Sequence, residues 1–248
     1  MYIQKVKLEN FRNYEKAEIE FDKNVNIIYG DNAQGKTNIL EAIFVCSLGK
    51  SFRTNKDKEL IKKDKDFSKI EMISQKEDRD INIKFEMKEK KKFYINNIPT
   101  KKTSEIIGKT YIVLFTPEDI GIINNEPSKR RRFLNIMISQ LRPVYINLLS
   151  EYNKILEQRN FYLKQIKYEG KSVENLYIWD EQIAKIGQKI YEYRKEFIEK
   201  INNKIYKIHL NTTENKEEIK MEYFSNIRKK LFRKFEKKSK KWYTKRVY

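Results

Sequence analysis

One stretch constrains the fold of this chain more than any other: Gly30-Asp31-Asn32-Ala33-Gln34-Gly35-Lys36-Thr37-Asn38. It fits the pattern Gly-x-x-x-x-Gly-Lys-Ser/Thr at Gly30, Gly35, Lys36 and Thr37, in a chain with only seven glycines. Each residue type has a reason in phosphate chemistry. Glycines let the backbone curl so that successive N–H groups point at phosphate oxygens. A lysine in the first turn of the following helix reaches the β- and γ-phosphates, and the helix N-terminus adds the positive end of its dipole. The Thr37 hydroxyl would supply one oxygen ligand to Mg²⁺. The flanks agree with this reading. Val25 to Tyr29 is a short apolar run that predicts a buried strand entering the loop. Asn38 to Phe44 has helical spacing, with Ile39, Leu40, Ile43 and Phe44 on one face. Strand, loop and helix in this order predict a nucleoside triphosphate site; an ordinary glycine turn is the alternative.

With 248 residues the chain has room for one large domain or two modest ones. Charged residues make up 36% and hydrophobic residues 39%, a balance that predicts helical arms with solvated faces. No apolar run approaches the length of a bilayer span, and the N-terminus, MYIQKVKLENF, has no apolar leader segment. The expectation is therefore a cytoplasmic protein without a membrane partner. Cys46 is the single cysteine and reads as a small core residue; His209 is also alone, so no metal cluster is expected around either.

A net charge of +19 points toward nucleic acid. It is unevenly spread. Residues 226–248 hold eleven Lys/Arg against one Glu, a net of +10, which leaves +9 for the other 225 residues. Lys, Ile and Asn are plentiful while Gly and Pro are scarce, as A/T-rich codons would produce. From charge alone, DNA binding and compositional drift both stay open.

Along the chain, residues 1–115 predict a mixed sheet. Ala17, Ile19 and Phe21 alternate with polar residues, as do Ile81, Ile83, Phe85 and Met87. Phe93 and Ile95 continue the pattern, and Asn96-Asn97 predicts a hairpin turn before Ile98. Tyr111 to Phe115 is fully apolar and predicts a central strand, ended by Thr116-Pro117-Glu118-Asp119, where a helix should start. After residue 128 the period changes. Leu149, Tyr152, Leu156, Leu163 and Ile166 lie at three-and-four spacing, interrupted by Arg159. Leu176, Trp179, Ile183, Ile186, Ile190, Tyr193 and Phe197 do so without a break, and Ile201, Ile205 and Ile208 extend the stripe. Two long helices turning at Gly170 should pair antiparallel as a coiled-coil-like arm. The expected organisation is a head lobe over 1–115, a helical arm over 116–225 and a basic tail over 226–248.

These residues also carry a resemblance. GDNAQGKTNILEAI resembles the phosphate loop of the ABC-type chromosome-maintenance ATPases, and IQKVKLENFRNYEKAEIEF is similar to the N-terminal strand of the RecF family of recombination mediators. SLGKSFRTNKDKELI, LFTPEDIGIINNEPSKRRRFLN and YNKILEQRN extend the likeness, in order, to about residue 225. The resemblance implies an α/β fold: a P-loop ABC-type ATPase head joined to a helical arm. It implies ATP with Mg²⁺ as cofactors, held by Gly30, Asp31, Asn32, Ala33, Gln34, Gly35, Lys36, Thr37 and Asn38, with Thr37 on the metal. It further implies ATP-dependent homodimerisation on single-stranded or junction DNA, loading of recombinase beside RecR and RecO, and a part in SOS induction. Arg53 stands where related ATPases place an arginine near the γ-phosphate; an exposed loop arginine is the alternative. Lys129, Arg130, Arg131 and Arg132 match a basic cluster that could touch DNA; a solvated helix face is the alternative.

The departures from the family pattern shape a further expectation. An ATPase of this class needs an apolar strand ending in Asp-Glu and a Gly-rich signature loop. Tyr111 to Phe115 runs into Thr-Pro before any acid, so Glu118 and Asp119 are misplaced, and Gly49, Gly108, Gly121, Gly170 and Gly187 never cluster. From about Asn226 the sequence becomes FRKFEKKSKKWYTKRVY, without family likeness. A truncated or frameshifted reading frame is the expectation, with a basic, aromatic-sprinkled nucleic-acid tail as its alternative. The chain is thus expected to bind ATP without hydrolysing it. The rivals are a non-catalytic DNA-binding remnant and a self-contained small P-loop NTPase.

Overall fold

The computed structural model describes residues 1–124, 127–214 and 216–225; the basic segment 226–248 lies outside the described residues. The chain divides into two compact units, one of residues 1–143 and one beginning at Val144. Residues 116–143, grouped by periodicity with the arm, belong to the first unit.

Six antiparallel strands form one sheet in the first unit, in the order β2-β1-β3-β4-β5-β6. They are β1 (Tyr2–Phe11), β2 (Tyr14–Glu20), β3 (Ser68–Lys76), β4 (Arg79–Met87), β5 (Lys91–Ile95) and β6 (Ile98–Pro99). Period-two patterning sets the register. Val6 pairs with Met72 and Leu8 with Ile70. Ile70 in turn faces Phe85, Met72 faces Ile83, and Phe85 faces Phe93. One sheet face is thereby an apolar layer of neighbouring cross-strand pairs. The β5–β6 hairpin forms where expected, because Asn96 and Asn97 take the left-handed φ values of 49° and 66° that a tight two-residue turn demands.

Helix α1 (Lys36–Leu48) lies against this layer and is buried nearly all round from Glu41 onward. Ala42, Val45 and Cys46 join Ile39 and Ile43 in the core, whereas Leu40, placed on the apolar face by spacing, is 43% exposed. Burying both sides of a helix dilutes the one-sided periodicity on which the spacing argument relies.

Two expected strands do not form. Residues 25–29 and 111–115 run irregularly and pair with none of the six strands, and Val25, Ile27, Tyr29, Tyr111, Val113 and Phe115 are exposed. A strand is completed by its neighbours, and an apolar run does not supply them by itself. Residue 112 has a substitute. The buried side-chain amide of Gln140 accepts from the Ile112 N–H at 2.7 Å and donates to its carbonyl at 3.0 Å, much as a strand neighbour would. The helical start expected after Phe115 does form: Asp119 accepts from the Thr116 N–H and hydroxyl at the start of a 3₁₀ turn over Pro117–Ile120. Helices α2 (Gly121–Asn124) and α3 (Pro127–Leu141) follow.

The second unit is a helical hairpin of α4 (Pro143–Glu169) and α5 (Tyr177–Thr212), turning at Gly170 with φ 69°. Its antiparallel pairing follows from the packing: Tyr145 packs on Tyr193, Tyr162 on Trp179, and Arg159 pairs with Asp180. The stripe residues Leu176, Ile186 and Ile190 are buried, while Ile208 is 63% exposed, so the seam has ended before it.

Candidate nucleotide-binding site

The loop between residue 29 and α1 has the backbone its sequence demands. Gly30 (φ 140°), Ala33 (φ 66°) and Gly35 (φ 100°) all take left-handed values, curling the chain around the end of the helix. Gly35 caps α1, and the N–H groups of Asn38 and Ile39 return to its carbonyl at 2.8 and 3.2 Å. Lys36 is the first helical residue. Its ammonium donates to the carbonyls of Gly30 and Asp31 at 2.6 Å each, so it already spans the concave side of the loop. Thr37 is exposed beside it. Residues 30–34 are likewise exposed, leaving the curl open to a ligand.

The β1–β2 turn braces this loop from one side. A Cβ on Gly35 would lie 2.8 Å from both Asn13 Nδ2 and the Tyr14 hydroxyl, so those side-chain ends would have to shift to admit any other residue. Asn38 Nδ2 donates to Asn13 Oδ1 at 2.7 Å, and Arg53 Nη1 donates to Asn38 Oδ1 at 2.7 Å. The structure therefore brings Arg53 to the residue that follows the loop. Burial raises the Tyr14 pKa.

Behind these groups stands Glu41, wholly buried on α1. Its carboxylate accepts from Arg12 Nε at 2.9 Å and Nη2 at 2.6 Å, a bidentate pair, from Ser51 Oγ at 2.5 Å and from Arg53 Nη1 at 3.3 Å. Arg12 Nη1 also donates to the Glu59 carbonyl at 2.7 Å. Reading the sequence missed Arg12, Asn13, Glu41 and Ser51. The available signal was Glu41, an acid within a helix otherwise apolar from Ile39 to Cys46, because a buried carboxylate needs cationic or hydrogen-bonding partners. Arg12, Asn13, Asn38, Arg53, Lys62 and Lys63 line a cavity of about 540 Å³.

Lys129 to Arg132 occupy the first turns of α3, with Arg130, Arg131 and Arg132 exposed. They do not join the loop. Desolvation and then the nearby charges of Arg132 and Lys91 lower the Lys50 pKa, which places Arg132 near the chain just past the C-terminus of α1. The thirteen residues of α1 put that end about 20 Å from Lys36. No cluster of three or more potential metal-ligating His, Cys, Asp or Glu occurs among the described residues. The left-handed curl, the Lys36 ammonium across it and the Thr37 hydroxyl beside it fit a triphosphate with one Mg²⁺ held largely by phosphate and water. No helix among the described residues is long and apolar enough to cross a membrane.

A sheet backed by a phosphate-loop helix, followed by a helical hairpin, defines the class: an α/β P-loop protein of the ABC-type ATPase-head kind, carrying an arm. Residues 2–118 match the RecF/RecN/SMC N terminal domain. The chain belongs to the RecF family. It is 47% identical over 230 residues to the DNA replication and repair protein RecF of Clostridium acetobutylicum, covering 92% of this chain and 63% of that protein. It is 44% identical to RecF of Acetivibrio thermocellus, covering 62% of it, and 40% identical to RecF of Lachnoclostridium phytofermentans, covering 67%. The chain thus spans somewhat under two thirds of the length of the first two relatives. It also resembles solved structures of the recombination mediator protein RecF in the RecFOR pathway. To RecF-ATPrS the TM-score is 0.82 at 39% identity, over 86% of this chain and 58% of that one. To RecF-ATP it is 0.85 at 38% identity, over 95% and 66%.

Proposed function

We propose that the chain binds ATP with Mg²⁺ at residues 30–38 and binds DNA, acting in recombinational DNA repair and replication restart. The observation that carries this reading is the curled loop of Gly30 to Gly35 with Lys36 across it, in a member of a family whose relatives are named for DNA replication and repair. Lys36 would hold the β- and γ-phosphates, the N–H groups of residues 33–37 would cradle them, and Thr37 would take one metal position. When bound, the metal would neutralise phosphate charge. Arg53, held on Asn38, would add a cation at the edge of the loop.

The DNA reading draws support from an energetic oddity in α3. Lys129 and Arg130 stand in its first turn, where the helix dipole disfavours positive charge, and Arg131 and Arg132 continue the run. Such a placement is poor for helix stability and good for meeting a phosphate backbone. Single-stranded or junction DNA, RecR and RecO as partners, ATP-dependent homodimerisation, a role in SOS induction and a cytoplasmic location complete the proposal by family likeness.

Binding without turnover is part of the same proposal. Hydrolysis needs a carboxylate that can reach an attacking water. Glu41 is tied to two arginines and a serine, and Asp119 caps Thr116. Phosphate release by the parent should equal that of Lys36→Ala, and a DNA-stimulated rate abolished in Lys36→Ala would refute this part.

The DNA claim is tested by anisotropy of a labelled single-strand/double-strand junction titrated with the chain at several salt concentrations. Arg130→Glu/Arg131→Glu should bind more weakly and flatten the salt slope by about one for each phosphate that is no longer neutralised. An unchanged slope would remove α3 from the DNA surface.

A further inference from the structure

Glu41 is wholly buried, and its carboxylate accepts from Arg12, Arg53 and Ser51. Ser51 Oγ, which donates to Glu41, accepts the N–H groups of Arg53 and Thr54 at 2.8 and 3.1 Å, so the carboxylate also shapes the backbone that presents Arg53. Arg12 is held on its other side by the bidentate pair. Arg12 and Arg53 then face a shared open cleft whose other walls are Asn13, Asn38, Glu59, Ile61, Lys62 and Lys63. The acid itself is shielded from that cleft at 0% exposure, whereas the Arg12 and Arg53 side chains keep 18% and 44%.

Stability alone does not call for this arrangement. Replacing a buried ion pair by apolar side chains of similar volume is often neutral or stabilising, and the surroundings of Glu41 on α1 are already apolar. What the carboxylate adds is orientation, since two guanidiniums that would otherwise repel each other are fixed on one acid, with Arg53 reaching Asn38 and Arg12 preceding the Asn13 that touches Gly35. We propose that Glu41 is the positioning residue that presets Arg12 and Arg53 for the anionic part of the nucleotide. The inference rests on the reading of residues 30–38 as a nucleotide site.

The sign of one substitution separates positioning from simple charge. Glu41→Gln keeps the shape and makes the site more positive, so electrostatics alone predicts tighter binding of an anion. Positioning predicts the reverse. With labelled ATP and Mg²⁺ and the full chain, Glu41→Gln should bind about five- to tenfold more weakly, and Ser51→Ala about two- to threefold. Glu41→Asp, which keeps the charge, should recover part of the loss. In an Arg12→Ala/Arg53→Ala background, Glu41→Gln should change affinity by less than about twofold, whereas general loosening of the fold would weaken binding in both backgrounds. Parent-like or tighter binding by Glu41→Gln, with Lys36→Ala still defective, would overturn the proposal and leave the loop assignment standing. Parent-like binding by Lys36→Ala would overturn both. Should Glu41→Gln fail to fold by circular dichroism, Ser51→Ala decides, and parent-like affinity there would overturn the proposal.

Discussion

Gly35 and Asn13 are packed so tightly that a methyl group added to Gly35 would sit 2.8 Å from the Asn13 amide nitrogen. The contact joins the phosphate loop to the β1–β2 turn and comes on top of a left-handed backbone at φ 100°. Gly35→Ala should therefore combine backbone strain with overpacking, a loss of about 2–4 kcal/mol. Chemical denaturation of parent and variant measures it. A loss below about 0.5 kcal/mol, typical of surface positions, would show that the turn can simply step aside.

Arg159 looks in sequence like a flaw in the arm stripe, yet it meets Asp180 on the facing helix with both side chains largely buried, at 26% and 20% exposure. Breaking such a pair leaves one charge without its partner, so Arg159→Leu alone should destabilise the chain by about 1–3 kcal/mol. Arg159→Leu with Asp180→Leu extends the apolar seam and should restore or exceed parental stability. A double variant as unstable as the single would mean that the pair does more than fill a gap in the seam.

Cys46 is fully buried against the sheet, its thiol directed at the Ile83 carbonyl. Burial, followed by the nearby Glu71 carboxylate, pushes this thiol far above its usual range. The folded chain then keeps its proton at pH values where the unfolded chain, with a thiol pKa of about 8.5, no longer holds it. The unfolded state binds fewer protons there, so stability should fall as pH rises above about 8.5, by up to about 1.4 kcal/mol per unit. Cys46→Ala should lack that component. Native Cys46 should also resist thiol reagents until denaturant is added. Rapid labelling of the folded chain, or identical pH slopes for the two proteins, would contradict this.

Legibility in the sequence followed the range of the interactions involved. The Asn96-Asn97 hairpin, the alternation of Ile81 to Met87 and the turn at Gly170 depend on neighbouring residues, and all were readable. The curl of residues 30–35 was readable because its glycines and the lysine that follows are compressed into one short stretch. Arg12 and Glu41 lie 29 positions apart, so their pairing is invisible to any local pattern. Residues 25–29 and 111–115 have strand composition, yet pairing is a property of the neighbours they meet. Arg159 was visible as an interruption, but only Asp180 across the hairpin gives it meaning.

The most direct test of the account is a titration of the chain with labelled ATP in the presence of Mg²⁺, set beside Lys36→Ala. The Lys36 ammonium already bonds the Gly30 and Asp31 carbonyls, so it stands ready to exchange them for phosphate oxygens. Saturable, Mg²⁺-dependent binding that falls by about tenfold or more in Lys36→Ala is the predicted result. Equal affinities for the two proteins, or no saturable binding by the parent, would contradict the assignment of residues 30–38 as a nucleotide site.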